Sequence, residues 1–423
     1  FIYRQEILQD ISLFTSQPKA KFYDELFINL DLSCIPAYNS KIGRAGYSNH
    51  SMICAFIVMK CEGFSQISDL LDFLSNNLII AYYCGFNIMA KLPSYAKFTR
   101  FIREFDNDVL QTVMQSQVLK AVDLTLVDPS FIALDAMPVK ANVLNNNPKS
   151  FKKDKFSKNI QPKADKDCRL GVQTAFNQHD EKNYEFYWGY KNHILVDCIS
   201  GLPICELTTG ANVSDSSVTL DMLKKANSFL PLSECSFLAD KAYDVKAIYN
   251  TVRNTYNGDC FIALNKRNTK NPKKLPSGNI ICEAGLAMHK DGKFSDNGRT
   301  RQKYSCPFKR SKSGICPCNH KCWNNGKKNR GRTKYVTIPD DYRLSIDRSS
   351  IAFKSVYALR TEAERYNSRF KQTGCERVFV RSGNSVKNLN TIAHISLLSI
   401  AIAAVITKKD VSYRSVKTLK RFA

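Results

Sequence analysis

Phe131-Ile132-Ala133-Leu134-Asp135 is a short apolar run that stops on an acid, the pattern of a buried strand with its polar end at the rim of a sheet. A second such run, Ser236-Phe237-Leu238-Ala239, stops on Asp240. Between them, strand texture covers Leu170–Phe176, Tyr190–Cys198 and Leu202–Leu207, the last two parted by Ile-Ser-Gly, a hairpin-like break. A helix is expected from about Ser214 or Asp215 to about Phe229, another from about Val245, and a strand at Cys260–Leu264. Strands first and a βαβ pattern after them define an α/β domain.

Working outward, the polar Lys- and Asn-rich stretch from Asn145 to Asp167 reads as a mobile loop. Residues 1–125 carry apolar positions at three- and four-residue spacing, a helical N-terminal domain large enough to hold a helix-turn-helix, although nothing in the spacing proves one. Residues 126–264 form the first part of the α/β core. From 265 to 350 the pattern disappears: between Lys266 and Lys334 there are 19 Lys or Arg and three acids, so this is a basic insertion. Helical texture returns over 351–410, before a basic tail at 411–423. The apolar stretch Ile392–Ile406 spans 15 residues with His394 and two serines inside it, too short to cross a bilayer comfortably, and reads as a buried helix.

The net charge of +24, from 62 Lys plus Arg against 38 Asp plus Glu, favours capture of polyanions, although a merely Lys-rich soluble protein has the same balance. Fifteen cysteines in 423 residues, several inside apolar runs, fit a reducing compartment better than a disulfide scaffold. No basic-then-apolar signal segment is visible in a chain that opens on Phe1. No GxSxG and no Walker-type loop occurs, which disfavours a serine hydrolase or an ATP-driven motor.

Acids at the ends of neighbouring buried strands offer the hard oxygen ligands that Mg²⁺ prefers. Alone, an acid after an apolar run is more often a turn or an N-cap. Tyr357, Arg360, Glu364 and Lys371 add a second signal: on a helix they share an arc of roughly 60°. One acid, two bases and a phenol make a poor core and a good ligand face; the bland alternative is a solvated face with an Arg360–Glu364 ion pair. Glu362 points away from that face. Asp197, Asp215 and Asp244 are the competing acids. His193 and His179 read as structural. In the insertion, Cys306, Cys316, Cys318 and Cys322 have enough thiolates for a structural Zn²⁺, but their irregular spacing lacks a CxxC pair and free thiols fit as well.

Tyr357-x₂-Arg360-x₃-Glu364-x₆-Lys371 resembles the Y-R-E-K signature of DDE transposases of bacterial insertion sequences. Leu238-Ala-Asp240-Lys241-Ala242-Tyr243 is similar to that family's second-aspartate motif, and Ala133-Leu-Asp135-Ala-Met-Pro to the segment around its first aspartate. Tyr187-Trp-Gly189-Tyr190-Lys191-Asn-His193 and Thr209-Gly-Ala211-Asn212-Val213-x-Asp215 resemble the region between them, and Leu92-Pro-Ser94 with Phe98-x₂-Phe101 the attached helical domain. The resemblance implies a ribonuclease-H-like mixed sheet flanked by helices. Asp135, Asp240 and Glu364 would coordinate two Mg²⁺ or Mn²⁺ ions, and Tyr357, Arg360, Lys371, Lys241 and Tyr243 would grip phosphate and DNA. It further implies double-stranded DNA at transposon ends and target DNA as partners, a homodimer in a synaptic complex, no membrane, and a cytoplasmic, nucleoid-associated place in a bacterial cell. A catalytically inactive DNA-binding remnant and a generic ribonuclease-H-like nuclease are the alternatives.

Overall fold

The computed structural model describes residues 15–38, 46–150, 154–176, 182–265, 275, 279–296, 299–308, 333–337, 342–408 and 413. The chain divides into two compact units, Phe1–Ala263 with Ser349–Ala423, and Leu264–Arg348.

Among the described residues of the larger unit, six helices come first: α1 (Pro18–Ile28), α2 (Asn49–Cys61), α3 (Ile67–Asn76), α4 (Leu78–Tyr83), α5 (Tyr95–Glu104) and α6 (Asn107–Asp123). The starts of α2 and α6 are set by Ser48 and Asp106, whose side chains accept from the backbone N–H of His50 and Asp108. The sheet follows with β1 (Phe131–Lys140), β2 (Arg169–Phe176), β3 (Lys182–Asp197) and β4 (Pro203–Gly210), then α7 (Thr219–Asn227), β5 (Ser236–Ala239), α8 (Lys246–Tyr256) and β6 (Asp259–Ile262). Strand order is β2-β3-β1-β5-β6, with β4 also on β3. β1 through β4 pair antiparallel, and β1, β5 and β6 run parallel, so the sheet is mixed.

β3 is longer than its sequence signal. Its second half lies between β1 and β4, while its first half pairs only with β2 and forms a two-stranded ribbon. The helix expected near residue 215 opens as a 3₁₀ turn at Asp215–Ser217 before α7. The stretch expected to be a mobile loop is instead tied down over its described part. Asn145 Nδ2 and Trp188 Nε1 both donate to the Lys155 carbonyl, at 2.9 and 2.8 Å, and the Tyr190 hydroxyl donates to buried Asp165 at 2.9 Å.

The C-terminal helices complete this unit: α9 (Ile351–Ala358), α10 (Thr361–Phe370), a π turn at Lys371–Cys375, and α11 (Gly383–Ile406). The one helix expected to carry Tyr357, Arg360, Glu364 and Lys371 is jointed, because Leu359, Arg360, Glu362 and Ala363 bond their N–H groups three residues back rather than four. α11 has 24 residues, longer than the apolar stretch suggested and long and apolar enough to span a membrane, yet 89% of its apolar window is buried within the protein. It packs against α2, α5 and α6, so residue 125 marks a change of secondary structure and not a gap in packing. A glycine seam joins the same parts. Gly63 (φ +73°) and Gly374 (φ +78°) face each other's segments, and a Cβ on either would lie 2.7 Å from the Gln372 carbonyl oxygen or 2.8 Å from that of Phe64.

The smaller unit is an antiparallel sheet of β7 (His289–Asp296), β8 (Arg299–Ser305) and β9 (Thr333–Thr337). Ile280, Met288 and Tyr304 make its core, with Cys282 and Val336 against them. Cys306 is buried, whereas Cys316, Cys318 and Cys322 lie outside the described residues, as do His179 and most of the 411–423 tail.

Candidate active site

In the parallel ladder of β1 and β5, Ala133 stands opposite Leu238. Asp135 and Asp240 each follow two residues later, past the last paired residues of that ladder, and Asp240 lies just beyond the end of β5 with extended backbone. Side chains alternate between faces along a strand, so both acids emerge on the face that carries Ala133 and Leu238. That face is covered by α10: Ala133, Leu238, Cys198 and Ala363 form one buried cluster, with Val356 and Leu359 of the α9–α10 joint packed against it. Apolar contacts one layer down thus fix where the polar residues above them meet.

From α10, Asn367 donates through Nδ2 to Asp135 Oδ2 at 2.9 Å. Glu364, one position after Ala363, is half-exposed, and its Oε1 accepts from Arg360 Nη2 at 2.8 Å. The ion pair of the bland alternative is therefore present, but it sits beside the aspartates. Burial pushes the Asp135 carboxyl up to about 6; the Ala136 N–H pulls it back, Asp240 raises it, Arg360 lowers it and Glu364 raises it further. Asp240 Oδ1 accepts from the Ala242 N–H at 2.7 Å and caps the 3₁₀ turn Lys241–Tyr243.

The remaining predicted residues divide. Tyr357 stacks on Phe353 with ring centroids 5.6 Å apart, and the Arg360 guanidinium lies 5.6 Å from its ring centre. Lys371 pairs with Glu376 at 3.0 Å, in the π turn beyond α10. Lys241 is exposed. Tyr243 needs correction as a DNA contact: it is 1% exposed, because the turn after β5 folds its ring inward. Burial holds its phenol well above the ordinary range, helped by the charges of Asp215, Asp135 and Asp240, so it forms an inner wall of the site.

The competing acids are occupied elsewhere. Asp244 is buried and accepts from the Tyr249 hydroxyl at 3.1 Å. Asp197 caps the turn after β3, taking the N–H groups of Ile199 at 2.8 Å and Ser200 at 3.2 Å. Glu362 is 6% exposed and pairs with Arg365. Asp215 binds Lys191 at 2.8 Å and lies 3.8 Å from His193 Nδ1. His193 is fully buried, its Nε2 2.9 Å from the Thr209 hydroxyl, and burial pushes its imidazole down to about 4. Asn367 was missed: the helical arithmetic that selects Glu364 puts it about 20° outside that arc.

Three carboxylates are a hard-oxygen set suited to a divalent cation, and their mutual repulsion at Asp135 is what such an ion relieves. Among the described residues no three His, Cys, Asp or Glu side chains already enclose an ion position, and Glu364 is turned to Arg360.

Comparisons with known proteins agree with this chemistry. Residues 128–399 match the family described as transposase DDE domain, and residues 12–104 match one described as transposase domain (DUF772). No curated protein matches. Among solved structures, a piggyBac transposase synaptic complex with hairpin DNA is 12% identical, over 97% of this chain and 77% of that one, at a TM-score of 0.40. A Mos1 transposase paired-end complex with left transposon end is 11% identical, over 52% of this chain and 61% of that one, at 0.17. With the family match spanning well over half of its length, the chain belongs to the insertion-sequence DDE transposases and is a DNA transposase, a metal-dependent DNA nuclease and strand transferase.

Proposed function

We propose that Asp135, Asp240 and Glu364 are the catalytic carboxylates of this transposase, and that they hold two Mg²⁺ or Mn²⁺ ions on a ribonuclease-H-like sheet. The observation that supports the reading is the parallel pairing of Ala133 with Leu238, each two residues before an aspartate, beneath the helix that bears Glu364. Support for the sheet type comes from its order, antiparallel strands followed by two strands parallel to β1. The ions supply charge stabilisation for attacking and leaving oxygens in an in-line displacement at a phosphodiester.

The chain's own residues do the rest. Asn367 donates to Asp135 and fixes the orientation of its carboxylate. Arg360 holds Glu364 in readiness, and its guanidinium is the nearest fixed cation for a phosphate at this face. Tyr357 and Lys241 flank the same opening and bear on the DNA backbone, with Lys371 one turn further along. The substrates are the ends of a bacterial insertion sequence and then target DNA, bound by a homodimer that pairs two ends in the cytoplasm at the nucleoid.

Cleavage of a supercoiled plasmid carrying the element's own ends, with Mg²⁺ present, tests the assignment. Asp240→Ala is expected to abolish both nicking and end joining while leaving binding of the ends intact. Full activity of that variant would overturn the triad, and nicking without any joining would point to a plain nuclease.

A further inference from the structure

We propose that the outer half of the β2–β3 ribbon, with the lysine-bearing segment before it, is a docking surface for the DNA duplex about eight base pairs inward from the cleaved bond; the spacing rests on the catalytic reading above. Val172, Tyr184 and Phe186 share one face of this ribbon, since Val172 is the cross-strand partner of Phe186 and side chains two apart point the same way. They are 47%, 57% and 47% exposed, whereas Trp188, next on that face, is 1% exposed. An aromatic row therefore runs from the core out into solvent, on a part of β3 that neither β1 nor β4 covers. Phe156 lies beside it, 6.5 Å from the Phe186 ring centre.

The segment 154–169 beside this row is rich in bases. Asp165 is buried against the Tyr190 hydroxyl, while Asp154 and Asp167 are exposed, the latter accepting the Gly383 N–H at 2.7 Å. Lys158, Lys163 and Lys166 are exposed. With Lys155, Lys158, Lys163, Lys166 and Arg169 against these three acids, the segment keeps a positive balance beside apolar rings, complementary to a duplex and not to another copy of a chain with net charge +24. A two-stranded β ribbon fits a major groove, where apolar side chains meet base edges and lysines meet the flanking phosphates. Phe186 is eight residues before Ile194, the partner of Asp135. At about 3.3 Å per residue that is about 26 Å, or about eight base pairs of B-form duplex.

The probe is a labelled duplex carrying the inverted repeat that flanks this reading frame, titrated without divalent metal over a salt series. Tyr184→Ala with Phe186→Ala is expected to weaken binding roughly tenfold with an unchanged salt slope. Lys158→Ala with Lys163→Ala and Lys166→Ala is expected to reduce the slope by about 2.7, at about 0.9 per phosphate contact. Hydroxyl-radical footprints of the aromatic variant should lose protection about eight base pairs from the cleaved bond. Wild-type affinity and slope in both variants would overturn the surface. So would an aromatic variant that keeps its affinity and footprint but changes oligomeric state in light scattering, since the ribbon would then be a contact between subunits. Because binding is read without metal, an active Asp240→Ala enzyme would sink the triad and leave this surface standing.

Discussion

On one face of α10, Arg360, Glu364 and Asn367 look toward Asp135, half in solvent and held by single hydrogen bonds. About a quarter turn round the helix, Ala363, Tyr366 and Phe370 are sealed, and Tyr366 starts a buried chain of hydrogen bonds. Its hydroxyl is 2.5 Å from His394 Nδ1, His394 Nε2 is 3.0 Å from Asn192 Oδ1, and Asn192 Nδ2 donates to Glu206 at 2.8 Å. Burial pushes His394 down to about 3, so it is neutral, accepting from Tyr366 and donating to Asn192. Thr391 closes the chain on the other oxygen of Glu206 at 2.6 Å. The contrast shows how a helix can present loosely held acids without losing their position. The reacting face is left few partners so that ligands can be exchanged, and the back is satisfied many times over so that the helix cannot shift.

The contrast can be broken from either side. The largest effect belongs to the front: Asp135→Asn should reduce plasmid cleavage by about a thousandfold or more while unfolding no earlier than wild type, since it relieves a crowded buried charge. Loss of stability with retained cleavage would reverse the assignment of the two faces. Acid tests the buried histidines next. His193 and His394 titrate at about 4 and about 3 when folded, below the ordinary 6.5, so protons favour the unfolded chain. Stability is complete above about pH 6.5 and is lost as pH falls toward 4, by about 3 kcal/mol for His193 alone. Urea midpoints across that range read it in the Asp135→Asn background, which removes the opposite contribution of the raised Asp135 carboxyl, and a flat profile there would mean that neither imidazole is held neutral.

Smaller effects separate the faces more finely. Tyr366→Phe strips a donor from buried His394 and should cost about 1–3 kcal/mol in urea unfolding, with cleavage falling only as the helix loosens. Asn367→Ala should do the converse. Its expected signature is a roughly tenfold loss of cleavage and a change in stability within about 0.5 kcal/mol. Equal loss of stability in both would erase the distinction between front and back.

Much of this site was readable because strand and helix periodicities are local. Two apolar runs ending in Asp135 and Asp240, and a polar stripe through Arg360 and Glu364, point to the three proposed carboxylates before any contact is known. What sequence does not carry is partnership across the fold. Lys371 lies on the arc and Asn367 about 20° outside it, yet Asn367 meets Asp135 and Lys371 meets Glu376, because the π turn redirects the chain after Phe370. Tyr243 looks like an exposed neighbour of Asp240 until the turn folds it inward. The segment 145–167 looks unrestrained because its anchors, Trp188 and Tyr190, come decades of residues later. Polar composition predicts solvent contact and says nothing of which carbonyls a distant indole will claim.

The paired glycines at 63 and 374 have a mechanical meaning. Each carbonyl there occupies the place of the other's missing methyl, so the end of α2 and the turn behind α10 are in backbone-to-backbone registry. Neither segment can move closer to the other. Residues 12–104, which match a transposase domain of their own, therefore meet the turn behind the Glu364 helix in hard contact and act as a stop that helps keep that helix where it is.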